Sequence, residues 1–406
     1  MEKRGFAEIK REVQRELDGK LDIEDDEVLQ IIDERIHLKS KDMAFSLSEK
    51  LELRKELFNS IRRLDVLQEL IEDPSITEIM VNGPKSIFIE RAGALYKTDR
   101  EFESEERLKD IIQQIVAMAN RVINLSSPIV DARLSDGSRV NAIFSPIALS
   151  GSTLTIRRFP EIAIDGGKLI KMGSVSEEII EFLKKIVKSK YNILISGGTG
   201  AGKTTFLNVM SDYIPKDERI ITIEDSAELK LAGLDNLVTL EARNANAEGC
   251  NSITIRDLIK TSLRMRPDRI IVGEVRGAEA IDMLQAFNVG QDGSMSTIHA
   301  NSAKDALSRL ETMMMLNTNI PMEALRKQMA SGIDFIIQLG RLRDKSRRLL
   351  EIREITGYEN HEILSKVIYR FEETGERKGI VEGKFVRKNS ISDREKLKRA
   401  GITDEL

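Results

Sequence analysis

Residues 192–213 read NILISGGTGAGKTTFLNVMSDY, a segment whose pattern indicates the fold of the chain. It begins with a short apolar run over 192–196, continues through a glycine-rich loop and ends in a predicted helix over 204–213. The loop and the two residues after it match the pattern G-x-x-x-x-G-K-[ST]. In this pattern the glycines let the backbone wrap a phosphate, and the following helix presents its positive N-terminal end. The sequence therefore predicts a phosphate site built from a strand, a loop and a helix.

Two side chains of the motif have expected roles. Lys203 is expected to reach the β- and γ-phosphates of a nucleotide, and the hydroxyl of Thr204 is expected to ligate Mg²⁺. ATP and Mg²⁺ are therefore the predicted cofactors. The predicted nucleotide-binding residues are Gly197, Gly198, Thr199, Gly200, Ala201, Gly202, Lys203, Thr204 and Thr205.

Carboxylates follow two other apolar runs where strands are expected to end. The run 269–273 is followed by Glu274, in the form of a Walker B element that acts on the metal directly or through a bound water. The run 219–223 is followed by Glu224, Asp225 and Glu228. Three acids at one strand end repel one another unless a cation or a proton-accepting role compensates. Because the carboxyl ends of parallel strands carry the ligand site, these acids are predicted to face the phosphates.

Beyond residue 174, apolar runs alternate with helical segments, which is typical of a mainly parallel sheet covered by helices. The run 294–298 is followed by His299, which is either a γ-phosphate sensor or a packed residue. The predicted fold class is α/β, a P-loop domain preceded by an α+β domain and a helical appendage. The predicted boundaries are 1–62 for the appendage, 63–160 for the α+β domain, 161–174 for a linker, 175–375 for the P-loop domain and 376–406 for a peripheral tail.

The composition argues against several classes of protein. The chain has 63 basic and 67 acidic residues and a net charge of -4, which argues against a protein that coats nucleic acid. Cys250 is the only cysteine and the three histidines lie far apart, so neither a disulfide framework nor a common zinc site is expected. No apolar run approaches the roughly 20 residues that span a bilayer, and the N-terminus lacks a secretory signal. We expect a cytoplasmic protein with no integral membrane segment and no nucleic-acid partner.

Four segments of the chain resemble the ATPases of type II and type IV secretion and pilus systems, most closely the CpaF/TadA-like branch that powers tight-adherence (Flp) pilus assembly. The segments are ISGGTGAGKTTFLN, TIEDSAELKL, RMRPDRIIVGEVRGAEAIDMLQAFNVGQDGSMSTIHANS and DARLSDGSRVNAIFSPIALSGSTLTIRRFP. The resemblance implies a homohexameric ring. In each subunit an α+β domain would be joined by a flexible linker to a RecA-like ATPase domain. It also implies platform proteins of the inner membrane as partners, with the ring held peripherally at the cytoplasmic face.

The same resemblance implies roles for individual residues. Glu228 would be the general base that orients the attacking water, and Glu274 would be the Walker B acid near Mg²⁺. The segment around His299 would be the histidine box of the family. Pilus-retraction relatives carry a further histidine where this chain has Gln291, so that contribution is not expected here.

The same resemblance also implies that arginines act at the nucleotide. Arg139 and Arg157 would approach the nucleotide phosphates from the α+β domain, where guanidinium charge stabilises phosphoryl transfer. The alternative is ordinary charge on a solvated strand face, which would include Arg133 and Arg158. Whether an arginine acts on the nucleotide of its own subunit or of a neighbour stays open. Further candidates across a subunit boundary are Arg264, Arg266 and Arg276.

The predicted function is a Mg²⁺-dependent ATP hydrolase that acts as a hexameric motor for pilus assembly or protein secretion. One alternative is a type II secretion or conjugative motor, which differs in substrate but not in chemistry. A RecA-like DNA motor is disfavoured by the net charge and by an aromatic content of 4% with no tryptophan. A scaffold that binds nucleotide without hydrolysis is disfavoured by the complete set of acids.

Overall fold

The chain separates into two compact units, residues 1–161 and 162–406. Within the linker predicted at 161–174, the first three residues lie outside the described part, and helix α6 (Gly166–Lys171) belongs to the second unit. Cys250 also lies outside the described residues. None of the described helices is both long enough and apolar enough to cross a bilayer. The computed structural model describes residues 4–20, 23–41, 43, 45–91, 93–158, 164–231, 233–243, 252–316 and 318–403.

The first unit begins with helices that pack on one another. Apolar residues recur at helical spacing, among them the fully buried Ile9 and Val13, so each helix has one face to bury. A capping box starts the third helix, because the Ser46 hydroxyl accepts from the Glu49 amide and the Glu49 carboxylate accepts from the Ser46 amide. The helices are α1 (Arg4–Leu17), α2 (Asp25–Lys39) and α3 (Leu47–Arg62).

An antiparallel sheet follows, with the strand order β3-β2-β1-β6-β5-β4. Alternate residues of β5 and β6, such as Val140 and Ile156, are buried beneath α5, so the polar residues between them lie on the other face. The hairpin predicted from Asp136-Gly137 is the β4–β5 turn, in which Gly137 has a φ of +89°. The elements are α4 (Gln68–Glu72), β1 (Ile76–Asn82), β2 (Ile87–Arg91), β3 (Ala94–Lys97), α5 (Glu105–Met118), β4 (Ile129–Arg133), β5 (Arg139–Ile143) and β6 (Thr153–Arg157).

Within the described residues, the second unit contains a mixed sheet of nine strands in the order β15-β14-β13-β12-β7-β11-β10-β8-β9. The strands from β12 to β9 pair in parallel, whereas β12 to β15 form an antiparallel meander. After α6, the elements are α7 (Glu177–Lys188), β7 (Ile193–Gly197), α8 (Lys203–Ser211), β8 (Ile220–Glu224), β9 (Leu237–Glu241), α9 (Ile255–Ser262), β10 (Arg269–Val275), α10 (Glu279–Asn288), β11 (Met295–His299), α11 (Ala303–Met315), α12 (Met322–Gly332), β12 (Phe335–Arg341), β13 (Arg347–Glu359), β14 (Glu362–Arg377), β15 (Ile380–Arg387) and α13 (Glu395–Arg399).

Helices cover both faces of this sheet. One face packs against α7 and α8, and the other packs against α9 to α12. The start of β10 is held by an ion pair inside the unit. The guanidinium of Arg269 is fully buried and donates to both carboxylate oxygens of Glu218, at 2.5 and 3.0 Å, and to the carbonyl of Val187 at 2.8 Å. The predicted α/β fold with a mainly parallel sheet is confirmed.

The C-terminal segment is part of this unit. Strand β15 pairs with β14, and the later residues Ile391 and Leu397 are buried in the core. The Nζ of Lys396 lies 2.7 Å from a carboxylate oxygen of Asp334. These contacts correct the prediction of a peripheral tail at 376–406. The segment is rich in charge, and that charge obscured the few apolar residues by which it packs.

Candidate nucleotide-binding site

The glycine-rich loop joins β7 directly to α8. Gly200 has a φ of +69° and Gly202, the residue that caps α8, has a φ of +91°. These are left-handed backbone conformations that strain residues with a Cβ atom. The first amides of α8 have no partner within the helix and are therefore available to an anion. The local conformation matches the phosphate loop predicted from the motif.

The side chain of Lys203 lies within this loop and is only 11% exposed. Its Nζ donates to the carbonyl oxygens of Gly197, at 3.1 Å, and Gly198, at 3.3 Å. The same nitrogen lies 3.9 Å from Oε1 of Glu274. The ammonium is thus held where the predicted phosphates would compete for it.

The three acids at the carboxyl end of β8 have separate positions. Glu224 is 3% exposed, and its Oε1 accepts from the amide of Glu228 at 2.8 Å and from the next amide at 3.0 Å. Glu228 in turn accepts from the hydroxyl of Thr204 at 3.3 Å. Asp225 lies 3.4 Å from the guanidinium of Arg276. One acid therefore holds the loop, one contacts the P-loop helix and one pairs with a cation, which relieves the repulsion expected from the sequence.

A glycine that the sequence reasoning did not single out packs against this loop. A Cβ atom added to Gly273 would lie 2.8 Å from Cγ of Glu224. The absence of a side chain at this position lets β10 and the buried acid of β8 approach closely. The sequence feature that could have indicated this role is the position of Gly273 directly before the Walker B glutamate in VGEVRG.

His299 lies at the end of β11, between the loop and the Walker B strand. Its Nδ1 lies 3.4 Å from the Nζ of Lys203, and its Nε2 lies 3.2 Å from the hydroxyl of Thr199. Burial and the nearby lysine ammonium lower the pKa of His299 from its ordinary value. A neutral ring that accepts at Nδ1 and donates from Nε2 satisfies both contacts.

Arginines of the first unit form a row across its sheet. Arg139 on β5 is directly opposite Arg157 on β6 and Arg133 on β4, so the three side chains share one face. Glu78 on β1 is opposite Arg157 on its other side. Like charges in directly opposite positions are unfavourable unless an acid or a bound anion compensates, and Glu78 is such an acid at the β1 side of the row.

The other arginines differ in position. Arg158 donates to the backbone carbonyls of Asp73, at the end of α4, and Ile76, at the start of β1, which is a structural role. Arg264 and Arg266 precede β10 and Gln291 precedes β11, so these residues lie at the amino ends of parallel strands, opposite the phosphate loop. Arg276 follows β10 and contacts the acids of its own chain.

The oxygen atoms beside α8 suit a magnesium ion. Mg²⁺ prefers oxygen ligands and is usually held by one or two protein groups together with substrate phosphates. The hydroxyl of Thr204 and the carboxylates of Glu228 and Glu274 surround the start of α8. Within the described residues, no cluster of histidine, cysteine and acidic side chains could hold a metal by itself. The residues therefore fit a metal that arrives with a nucleotide.

A phosphate loop at the carboxyl edge of a parallel sheet, with acids from the neighbouring strands, defines a P-loop protein of the α/β class. The family model of the type II/IV secretion system proteins matches residues 62–388, and the chain belongs to this family. The resemblance to secretion ATPases is therefore confirmed at the level of the family, and with it the expectation of nucleotide binding.

Individual relatives agree with this assignment. The chain is 34% identical over 293 residues to a conjugal transfer protein of Mycobacterium tuberculosis, covering 71% of this chain and 83% of that protein. It is 31% identical over 320 residues to the conjugal transfer protein TrbB of Rhizobium radiobacter, covering 76% and 93%. The crystal structure of the pilus retraction motor PilT with bound ADP has the same fold, with a TM-score of 0.51, 22% identity and coverage of 71% and 81%.

Proposed function

We propose that this chain is the subunit of a homohexameric motor that hydrolyses ATP, with Mg²⁺, to power pilus assembly or protein secretion across the cell envelope. The observation that carries the proposal is the convergence of Lys203, Thr204, Glu228 and Glu274 at one edge of the sheet. A site that only bound nucleotide would need the loop and the lysine, but not a carboxylate beside the P-loop threonine.

The chemistry assigns a role to each group. Lys203 and the amides of the loop would bind the β- and γ-phosphates, and Thr204 and Glu274 would hold Mg²⁺, which would neutralise phosphate charge. Glu228 accepts a proton from the water whose oxygen attacks the γ-phosphorus, and the β–γ bridging oxygen leaves with ADP. His299, neutral and in contact with Lys203, is close enough to respond when the lysine moves onto the phosphates.

The base and sugar would lie beside the loop. A cleft next to the first turn of α8 is lined by apolar residues, including Leu169 and Met172, by Thr205 and by Arg347. Apolar walls with a few polar groups are typical of sites that bind a nucleobase and a sugar. The free volume of this cleft is about 30 Å³, so its side chains would have to move apart to admit a base.

Arg139 and Arg157 are proposed to meet the phosphates from the first unit. Their opposed positions on β5 and β6 create the positive face that a triphosphate would neutralise. Movement of this face towards the nucleotide would couple hydrolysis to rotation of one unit against the other. The nucleotide concerned would be that of the same subunit or of its neighbour in the ring.

The system that the motor serves is proposed on two grounds. The motif resemblance favours a tight-adherence pilus, with inner-membrane platform proteins as partners and a location at the cytoplasmic face of that membrane. The similarity to conjugal transfer proteins of other bacteria favours conjugal transfer as the second candidate. A platform protein from each system, tested for stimulation of phosphate release, would separate the two.

The enzymatic proposal is tested by phosphate release and nucleotide binding in parallel. Wild-type protein should release phosphate from ATP in the presence of Mg²⁺ and should form hexamers, as judged by light scattering with nucleotide. Glu228→Gln should bind a fluorescent ATP analogue with an affinity close to that of the wild type, yet release phosphate at least about 100-fold more slowly. Wild-type turnover in this variant would refute the role of Glu228, and a protein that stays monomeric with nucleotide would refute the ring.

A further inference from the structure

Arg276 bridges the acids of two neighbouring strands in its own chain. It follows Glu274 by two residues, and its Nε and Nη2 lie 2.9 and 2.7 Å from the same atom, Oε2 of Glu274. Its Nη1 lies 3.4 Å from Oδ2 of Asp225, beyond the end of β8. The sequence pointed to this arginine as one that acts across a subunit boundary, whereas its partners here are the acids of its own site.

The arginine extends from a backbone that is itself held in place. The amides of Arg276 and Gly277 both donate to Oε1 of Glu279, at 2.7 and 2.9 Å. Glu279 is the first residue of α10, so the turn between β10 and α10 is tied to the helix that follows. The guanidinium is therefore presented to Glu274 from a fixed turn.

Both oxygens of Glu274 face cations. Oε2 accepts from Arg276, and Oε1 lies 3.9 Å from the Nζ of Lys203. When phosphates arrive, the P-loop lysine has a new partner, but the arginine remains on Oε2. A metal that binds Oε2 must therefore displace Arg276, and a metal that binds Oε1 is disfavoured by the positive charge of Arg276 on the same carboxylate.

We propose that Arg276 is a positioning residue that holds Glu274 in the nucleotide-free protein and competes with Mg²⁺ for its carboxylate. This inference rests on the proposed function, because it assumes that Glu274 helps to hold the metal. The arginine neutralises the acid while the site is empty and disfavours metal binding without nucleotide. The negative charge of the nucleotide phosphates then tips the competition towards the metal, and Asp225 offers the arginine a second partner.

The test is the Mg²⁺ concentration at which half of the metal-dependent increase in nucleotide affinity is reached. It is measured with the full chain and a fluorescent ATP analogue, over a Mg²⁺ titration that starts in EDTA, so the readout is binding rather than turnover. Arg276→Gln should lower this concentration about three- to tenfold, the range expected when one positive charge near a divalent ion is lost in a water-like dielectric. An unchanged or higher concentration would overturn the proposal.

Two further variants test whether a shift of the Mg²⁺ midpoint is specific to the guanidinium of Arg276. Arg276→Lys keeps the charge but loses the fork that places two N–H groups on one oxygen, so it should give a smaller fall in the same direction. If Arg276→Gln does not fold, Arg276→Lys still tests the proposal, because an unchanged or higher Mg²⁺ midpoint in that variant would contradict it. The matched control is Arg370→Gln, since Arg370 is 47% exposed and pairs with Glu351 at 2.7 Å, and it should leave the Mg²⁺ midpoint unchanged.

The failure of this inference can be told from the failure of the proposed function. If wild-type protein binds no nucleotide, or binds it with no effect of Mg²⁺, the proposed function itself fails. If wild-type binding depends on Mg²⁺ and Arg276→Gln shifts the midpoint no more than the Arg370→Gln control does, only the role of Arg276 is lost.

Discussion

Replacement of Gly273 by alanine should impair hydrolysis although Gly273 is outside the proposed nucleotide-binding residues. The new Cβ atom would lie 2.8 Å from Cγ and 3.2 Å from Oε1 of Glu224, so one of the two strands or the buried side chain must move. The carboxylate of Glu224 holds the amides of Glu228 and Leu229. A shift of Glu224 would therefore move the proposed general base away from the phosphate edge.

The expected losses of stability and of kcat can be estimated from these contacts. Overpacking of a core position typically costs about 1–3 kcal/mol, and loosening a hydrogen bond to a charged group costs about 1.5–3 kcal/mol. Water that replaces the loosened hydrogen bond, or a small backbone shift that relieves the overpacking, would recover part of these two costs. We therefore expect Gly273→Ala to lower the free energy of unfolding by about 2–4 kcal/mol, less than their sum. A displacement of the base by about 1 Å would lower kcat on the order of 10- to 100-fold.

Three measurements on the same protein check this prediction: urea unfolding followed by circular dichroism, binding of a fluorescent nucleotide, and phosphate release. Nucleotide affinity should stay close to that of the wild type, because the P-loop is unchanged. Gly375→Ala is the control, since an added Cβ there would meet no atom within 4 Å, and it should leave all three quantities unchanged. Wild-type turnover together with wild-type stability in Gly273→Ala would refute the role assigned to Glu224.

Three more predictions concern other parts of the structure. Leu397→Ala should lower the free energy of unfolding by about 2–5 kcal/mol in urea, because Leu397 is 2% exposed, whereas Ile380→Ala at an exposed position should have little effect. Arg269→Met should cost about 3–5 kcal/mol, because Glu218 would keep a buried charge, and the double variant with Glu218→Leu should recover part of this loss. The pKa of His299 is lowered in the folded protein, so the unfolded chain binds a proton at this histidine at a higher pH than the folded protein does. The free energy of unfolding should therefore fall as the pH drops through about 6.5. His299→Gln should make the free energy of unfolding depend less steeply on pH in this range.

Much of the site could be predicted from the sequence because its parts are local. The loop and Lys203 belong to one contiguous motif, and Glu274 and His299 directly follow apolar runs that became β10 and β11. Parallel strands end at a common edge, so residues that follow such runs meet in space even when they are distant in sequence. The structure places these residues together for that reason.

Other features depend on contacts between distant residues, which a linear pattern does not encode. The motif resemblance named Glu228 as the base, but no local pattern showed that Glu224 holds the loop, because that role depends on its burial against Gly273. The orientation of Arg276 towards its own Glu274 depends on the turn held by Glu279. The antiparallel extension from β13 to β15 was missed because its strands are rich in charge and their apolar alternation is interrupted by irregular pairing.

The binding of a non-hydrolysable ATP analogue with Mg²⁺ tests whether the loop around Lys203 holds nucleotide phosphates. Calorimetry of the wild type and of Lys203→Ala would measure it without any assumption about turnover, oligomeric state or partner. We expect saturable binding to the wild type and an affinity at least about tenfold weaker in Lys203→Ala, because the charge-assisted contact to the phosphates is lost. A wild-type protein that binds no analogue, or a lysine variant that binds it equally well, would contradict the assignment of this loop as the phosphate site.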